Sequence, residues 1–152
     1  MPTTPLQSGP SRRSNADPLL EQAAAALRDN RPAVAEALLR RVLAAQPGDA
    51  QALKLLGDAL IRLERPDEAA ESLRHCLALA PDFDAARYAY VGALQLQGNP
   101  TEVFAQIEEL LRRDPGNASH RNLKALAHLW LDDGKEAAAE FEIVLKDAPP
   151  AP

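Results

Sequence analysis

Several features are scarce in this sequence, and each scarcity excludes a class of protein. Only one cysteine is present, Cys76, so no internal disulfide can form and a reducing compartment is expected. Aromatic residues make up only 4% of the 152 residues, so alanine and leucine supply most of the apolar side chains. No apolar run approaches the roughly 20 residues of a membrane span. Because small residues and leucine favour close helix–helix packing, we expect an all-α protein that does not cross a membrane.

Clusters of positive charge are also missing. The 17 Lys and Arg residues are interspersed with 22 Asp and Glu residues, and the net charge is −5. Nucleic-acid partners are excluded, because their recognition needs clustered basic side chains. Arg12 and Arg13 have no apolar segment behind them, so no secretory signal is predicted, and residues 1–16, rich in Pro, Ser, Thr and Gly, are expected to form a disordered leader. These observations together favour a cytoplasmic protein.

Proline, by contrast, is abundant, and its positions repeat. Prolines argue against helices only when they lie inside them. Seven of eight regularly spaced positions hold proline, although only 13 of 152 residues are proline, so the spacing is not a product of chance. One series is expected at the start of a helix, where a missing N–H group is tolerated, and the other just after a helix ends. The two series, each with a period of 34 residues, are Pro32, Pro66, Pro100 and Gly134, and Pro47, Pro81, Pro115 and Pro149.

Folding the chain at this period gives four units, each with two helices of about 12 to 15 residues. The units are 16–49, 50–83, 84–117 and 118–151, and we number the 34 columns from the first residue of each unit. Small residues in columns 8 and 20 predict where the two helices cross closely. Columns 20, 24 and 27 follow i, i+4, i+7 spacing and give the second helix an apolar stripe. In unit order, column 8 holds Ala23, Gly57, Val91 and Ala125, column 20 holds Ala35, Ala69, Val103 and Ala137, column 24 holds Leu39, Leu73, Ile107 and Phe141, and column 27 holds Val42, Cys76, Leu110 and Val144.

This pattern resembles the tetratricopeptide repeat (TPR) family, whose 34-residue unit carries W-x2-L-G-x2-Y, then A-x3-F, then P. The resemblance implies a right-handed superhelical α-solenoid of four helix–turn–helix units, over residues 17–148. The tail, 149–152, would hold no capping helix. Arg87 and Arg121 in column 4, and Lys124 in column 7, depart from the apolar residues of the family, which leaves the packing of the last two first helices in question. Unit two matches best, with Leu53, Leu56, Gly57, Leu60, Ala69, Leu73 and Pro81 in the family positions.

The resemblance also implies a function, because the first helices of TPR units line a concave groove that receives a peptide or a partner helix. Columns 2, 5, 6, 9, 12 and 13 would face this groove, and their mixture of apolar and charged residues suits a protein ligand. Aromatic residues often dominate binding energy, so Tyr88 and Trp130 are the leading candidates, against the alternative that each packs on the next helix. The candidate groove residues are Leu20, Lys54, Leu55, Asp58, Arg62, Tyr88, Asn122, Leu126 and Trp130.

Two narrower interpretations of the charged groove residues can be weighed. Lys54, Asp58 and Arg62 lie at i, i+4 and i+8, where they form a solvated stripe or pair among themselves. Some TPR proteins hold a C-terminal carboxylate with Lys in column 5 and Asn in column 9. Lys54 fits that arrangement, but Asp58 stands in place of Asn and would repel a carboxylate, so this clamp is excluded.

Catalysis within this chain is not expected. Adjacent helical residues His75 and Cys76 point about 100° apart, which suits neither a nucleophile–base pair nor a shared metal. Cys76 occupies a core column and is expected to be a buried, inert thiol. His120 and His128 lack a cysteine partner for zinc, and no glycine-rich phosphate loop occurs. We therefore predict no enzyme activity, no metal site and no cofactor.

Two alternatives to a simple binding module remain open. Residues 121–129 and the segment after them resemble the N-terminal repeats of bacterial TPR-linked sulfotransferases. That resemblance implies an accessory module whose catalytic domain would lie outside this sequence. The second alternative is self-association into a homo-oligomer, because Phe141, Val144 and Leu145 on the last helix are expected to lack a full cover.

Overall fold

A computed structural model describes residues 16–149, and this part of the chain is all-α, as predicted. The expected leader up to residue 15 and the last three residues of the tail lie outside the described residues. Within the described range the chain forms eight helices, two for each 34-residue unit. They are α1 (Ala16–Arg28), α2 (Pro32–Ala45), α3 (Ala50–Arg62), α4 (Pro66–Leu79), α5 (Asp84–Leu96), α6 (Pro100–Arg113), α7 (Ala118–Trp130) and α8 (Gly134–Asp147).

Local signals explain where the helices begin. Pro32, Pro66 and Pro100 are the first residues of α2, α4 and α6, where the fixed proline φ suits a helix and the absent N–H has no intrahelical partner to lose. The side chain of Asp49 caps α3 by accepting a hydrogen bond from the backbone N–H of Ala52 at 2.9 Å. Asn99, Asn117 and Asp133 likewise cap α6, α7 and α8.

The turn between the two helices of each unit contains one residue in the left-handed region. It is column 15 in all four units: Asn30, Glu64, Gly98 and Asp132, with φ of 54°, 58°, 70° and 61°. Only glycine adopts this conformation without strain, whereas Asn and Asp tolerate it better than other residues do. The repeated geometry gives every helix pair the same reversal of direction.

Each helix packs against the next one along the chain, so the hairpins stack as a solenoid and the core runs along its length. Columns 24 and 27 are fully buried in the first three units, as the apolar stripe predicts. The buried set includes Cys76, whose thiol donates to the backbone oxygen of Ala50, and burial raises the pKa of that thiol. No helix between residues 16 and 149 is long and apolar enough to cross a membrane.

The closeness of the two helices differs between units two and three. In unit two, an added Cβ on Gly57 would lie only 2.5 Å from Cγ of the fully buried Leu73, so the absence of a side chain lets α3 and α4 touch. In unit three, Val91 and Val103 occupy the two crossing columns. Among the four helix pairs of residues 16–149, α5 and α6 are the least closely packed. The branched side chains hold these two helix axes apart.

The contact between successive first helices also changes along the solenoid. The α1 helix approaches α3, and α3 approaches α5, whereas no Cα atom of α5 lies within 8 Å of α7 in the described part of the chain. Column 3 explains this difference, because it holds the fully buried Ala52 and Ala86 in units two and three but His120 in unit four. The larger, buried imidazole of His120 separates α7 from α5.

Candidate functional site

The candidate groove residues lie on the four first helices, and we call the surface they form the groove face. On α3, the ammonium of Lys54 and the carboxylate of Asp58 form an ion pair at 2.6 Å. Arg62 does not join them, because its guanidinium donates to the backbone oxygen of Leu27 at the end of α1. The three charged residues therefore divide into an internal pair and a link between units one and two.

Two candidate leucines contribute less to the surface of the groove face. Leu55 is buried in the core, and Leu20 is partly buried against it. Their apolar side chains are used mainly to join first helices of neighbouring units. A ligand on this part of the face would contact Lys54 and Asp58 more than either leucine.

Tyr88 forms a contact between units, in addition to being a candidate groove residue. Its hydroxyl lies 2.5 Å from Nδ1 of His120, and the two ring centroids are 5.6 Å apart. Burial, together with the nearby charge of Asp84, raises the pKa of Tyr88. The side chain is half-buried and fills the space that His120 opens between α5 and α7. The packing interpretation of Tyr88 is thus present in the structure, and its outer edge remains available.

Exposed apolar side chains of the groove columns are most numerous on α7, although Leu96 of α5, at 58%, is exposed as well. Leu126 is 54% exposed and Trp130 is 38% exposed, while Asn122 lies one turn before Leu126 and is exposed too. Leu129 and Leu131, in and just after α7, are exposed too. Leu129 stands in a groove column without being singled out by the sequence pattern, and Leu131 lies beyond the last groove column. Clustered exposed leucines and a tryptophan are typical of a surface that another molecule covers.

The last helix carries the residues predicted for self-association. Phe141 and Val144 are partly buried, in contrast to the fully buried residues of the same columns in units one to three. Leu145 is 73% exposed. The apolar stripe of α8 is therefore covered on one side only by the described residues.

The basic departures in unit four are accommodated by acidic partners. Glu140 on α8 lies 2.9 Å from the ammonium of Lys124 and 3.4 Å from the guanidinium of Arg121, and Glu108 on α6 also contacts Lys124 at 3.3 Å. The hydrogen bond that the Lys124 ammonium donates to Glu140 raises the pKa of Lys124. The α7–α8 pair consequently packs closely in spite of the missing apolar residues.

Residues that could bind a metal or perform catalysis are dispersed. Among residues 16–149 no three His, Cys, Asp or Glu side chains come together in a way that could hold a metal ion. His128 lies 3.5 Å from Asp133 at the end of α7, and His120 contacts Tyr88. From the sequence alone, the candidate role of His120 is that of a zinc ligand. Nothing in the local pattern indicates its contact with a residue 32 positions earlier in the chain.

Comparisons with known proteins identify a family and a relative with similar sequences. The family model described as the cytochrome c-type biogenesis protein H TPR domain matches residues 13–152. Cellulose synthase operon protein C of Pseudomonas fluorescens (strain SBW25) is 35% identical over 134 residues. The match covers 82% of this chain, and it spans only 10% of the length of that relative.

Solved structures of TPR proteins have the same architecture. MamA from Desulfovibrio magneticus RS-1 superposes with a TM-score of 0.79 at 20% identity, covering 88% of this chain and 76% of that one. TTC0263 from Thermus thermophilus superposes with a TM-score of 0.74 at 18% identity, covering 86% and 73%. YrrB, described as a TPR protein with an unusual peptide-binding site, gives 0.75 at 18%, covering 89% and 70%. At these identities the likeness shows the fold alone.

Proposed function

Because the chain belongs to the TPR domain family of cytochrome c-type biogenesis protein H, we propose that it is a non-catalytic module that binds a peptide or helix of a partner protein on its groove face. The observation that carries this proposal is the exposed apolar patch on α7, centred on Leu126 and Trp130. Exposed apolar side chains with polar neighbours suit an amphipathic ligand. The peptide-binding site in the description of YrrB supports the same class of ligand.

The groove face would use its residues unequally. Trp130 and Leu126 would provide apolar anchoring, and Asn122 would hydrogen-bond the ligand backbone. Tyr88 would form the wall between units three and four, while the paired Lys54 and Asp58 would add polar contacts at the rim. Leu20, Leu55 and Arg62 would hold the first helices in place beneath the ligand.

A selection from a displayed peptide library tests this proposal, with the selected peptide used as the probe in calorimetry. We expect Leu126→Ala or Trp130→Ala to weaken binding by tenfold or more, since exposed anchors of this kind contribute on the order of 1–2 kcal/mol or more to a protein interface. Leu79→Ala is the matched control, because Leu79 is a similarly exposed leucine, at 48%, on the second helix α4. Binding that is equally sensitive to Leu79→Ala, or insensitive to both groove variants, would contradict the proposal.

A second proposal is that the module belongs to a longer protein. The observation in its favour is that the similar region of cellulose synthase operon protein C is only 10% of that relative. A sulfotransferase as the remainder stays a prediction from the sequence resemblance. The sequence of the native reading frame beyond Pro152 is the direct check.

Self-association through Phe141, Val144 and Leu145 likewise stays a prediction, favoured by the 73% exposure of Leu145. A second copy would cover the open side of α8. A monomer mass in light scattering at high protein concentration would exclude it. A cytoplasmic location also stays a prediction, based on the single cysteine and on the composition of the first residues.

A further inference from the structure

Two clefts recur at equivalent positions of neighbouring units, on the side of the first helices that faces the second helices. The first cleft lies between α2 and α4 over α3, and the second lies between α4 and α6 over α5. Their volumes are about 360 Å³ and 650 Å³. None of the candidate groove residues lines the second cleft, so it is separate from the surface proposed above. The loosely packed α5–α6 pair explains why the second cleft is the larger one.

The floors of the two clefts differ in chemistry. In the first cleft, columns 4 and 7 hold Leu53 and Leu56. In the second, the same columns hold Arg87 and Tyr90, and Arg74 of α4 lies beside them with its Nε donating to the Tyr90 hydroxyl at 3.4 Å. The apolar floor is thus replaced by a polar one. Arg87 adds a second guanidinium to the one that column 25 supplies in both clefts, from Arg40 in the first and Arg74 in the second.

Arg87 is a buried cation whose hydrogen bonds go to neutral acceptors. It is only 8% exposed, and none of the carboxylates of residues 16–149 forms an ion pair with it. One Nη donates to the side-chain oxygen of Gln106, the other donates to the backbone oxygen of Pro81 at 2.7 Å, and Nε has no partner within the described part of the chain. Burial is the main factor that lowers the pKa of Arg87. Asp84 and Glu109 attract this guanidinium without forming an ion pair with it, whereas Arg113 repels it. Desolvation of the charge is therefore compensated only in part, which makes the burial of Arg87 costly.

In unit four the basic residue of column 4 is neutralised by a carboxylate. There Arg121 faces Glu140 of column 23, and Glu108, in column 25 of the preceding unit, pairs with Lys124. In the second cleft the corresponding positions hold the neutral Gln106 and the cationic Arg74. Unit three therefore has the basic residue of this arrangement but lacks both of its carboxylates.

We propose that the cleft between α4, α5 and α6 binds a carboxylate of a protein partner, which displaces the side-chain oxygen of Gln106 from Arg87 and pairs with Arg87 as Glu140 pairs with Arg121. Arg74 at the cleft rim would supply a second donor to the same group. Leu77 and Leu94 line the cleft too and would contact an aliphatic segment next to the carboxylate. The cleft volume is of the size that accommodates a short peptide segment.

One lining residue restricts what the cleft accepts. Glu102 on α6 accepts a hydrogen bond from the amide nitrogen of Gln106 at 2.7 Å and carries the only negative charge among the lining residues. It would repel a ligand with several adjacent negative charges. A single carboxylate beside an apolar group is therefore favoured over a phosphate-bearing or polyacidic ligand.

Backbone-amide NMR titration of the full chain at low ionic strength tests the site. The probes are N-acetyl-leucine, which mimics a C-terminal carboxylate, and N-acetyl-glutamate α-amide, which mimics an acidic side chain. N-acetyl-leucinamide is the neutral control. We expect saturable shifts at Arg87, Tyr90 and Gln106 with at least one carboxylate probe and none with the amide. The probe that binds more tightly identifies the source of the carboxylate.

Two variants remove the site, one by deleting the guanidinium and the other by supplying a carboxylate from the chain itself. Arg87→Leu introduces the residue that unit two has in this column, and Gln106→Glu places the carboxylate of unit four inside the cleft. Either variant should reduce binding of the carboxylate probe at least tenfold, with helical circular dichroism unchanged. Arg40→Leu is the matched control, because it makes the same change in net charge at the first cleft and should leave binding intact.

Three results would contradict the proposed carboxylate site. They are the absence of saturable shifts with both carboxylate probes, equal shifts with the neutral amide, or unchanged binding in the folded Gln106→Glu variant. Loss of probe binding on Arg40→Leu as well would show a response to net charge alone. Because these probes and variants do not involve the groove face, failure here leaves the proposed function standing, and the reverse also holds.

Discussion

Units two and three contain helices of the same lengths in the same order, and yet they pack differently. In unit two the crossing columns hold Gly57 and Ala69, and the two helices touch. In unit three they hold Val91 and Val103, and the pair is looser and borders the larger cleft. The difference teaches that a repeat keeps its period through its turns, while its tightness is decided by the volume of two side chains.

The difference continues at the junctions between units. Fully buried Ala52 and Ala86 let the first helices of units one to three approach each other, whereas His120 keeps α7 away from α5. Tyr88 then bridges the space to His120 with its hydroxyl. At the first two of the three junctions the first helices therefore lie close together, whereas the third junction is bridged by side chains. We expect local stability to fall along the chain accordingly.

The largest expected effect comes from truncating the column 24 side chain in each of the two units. Leu73→Ala in unit two and Ile107→Ala in unit three delete equal numbers of atoms from fully buried sites. Each should cost about 2–5 kcal/mol, with Leu73→Ala at the upper end because its closely packed surroundings cannot collapse into the space. Urea unfolding of both variants measures this, and equal costs would remove the proposed difference in tightness.

A smaller effect is expected from adding a methyl group at Gly57. The new Cβ would lie within 3 Å of three carbons of Leu73, so Gly57→Ala should destabilise the protein by about 1–2 kcal/mol, after the better helix propensity of alanine is counted. Gly92 in α5 is the control. Apart from its two chain neighbours and the nearby backbone of its own helix, no heavy atom lies within 4 Å of its added Cβ. Gly92→Ala should stabilise by about 0.5–1 kcal/mol. Thermal unfolding that ranks the two variants the other way would contradict the close approach in unit two.

The smallest expected effect is a difference in amide hydrogen exchange between two helices of the unmodified protein. Amide hydrogens of Leu73 and Cys76 in α4 should exchange about tenfold more slowly than those of Ile107 and Leu110 in α6, after correction for intrinsic rates. All four side chains are fully buried, so exposure alone would not separate them. Native-state hydrogen exchange followed by NMR provides the comparison. Identical protection would show that the two units open together.

The proline and glycine positions in the sequence predict the helix pairs well, because both residues act through local backbone preferences. The exposed Leu126 and Trp130 are predicted for a related reason, since a helical period places them on one face. The contact of Tyr88 with His120 could not be predicted in this way. It depends on how far two first helices separate, which follows from the packing of every column between them rather than from any local pattern.

Arg87 illustrates the same limit from the other direction. Its departure from the apolar residue of the family is visible in the sequence, but it indicates only that packing would differ. Whether a basic residue in column 4 is neutralised depends on residues 19 or more positions away, and Arg121 and Arg87 have opposite outcomes. The distinction requires the three-dimensional neighbours of each guanidinium.

The left-handed turn residue of each unit has a consequence for how such a scaffold can change over time. All four of these residues are exposed, and only Gly98 adopts its φ without strain. Glu64 bears the greatest conformational penalty, since Asn and Asp tolerate this region better. Substitutions at this turn would therefore alter stability without changing any of the residues proposed for the groove face. The stability of this chain can therefore change through substitutions at these turns, independently of the residues proposed to bind a ligand.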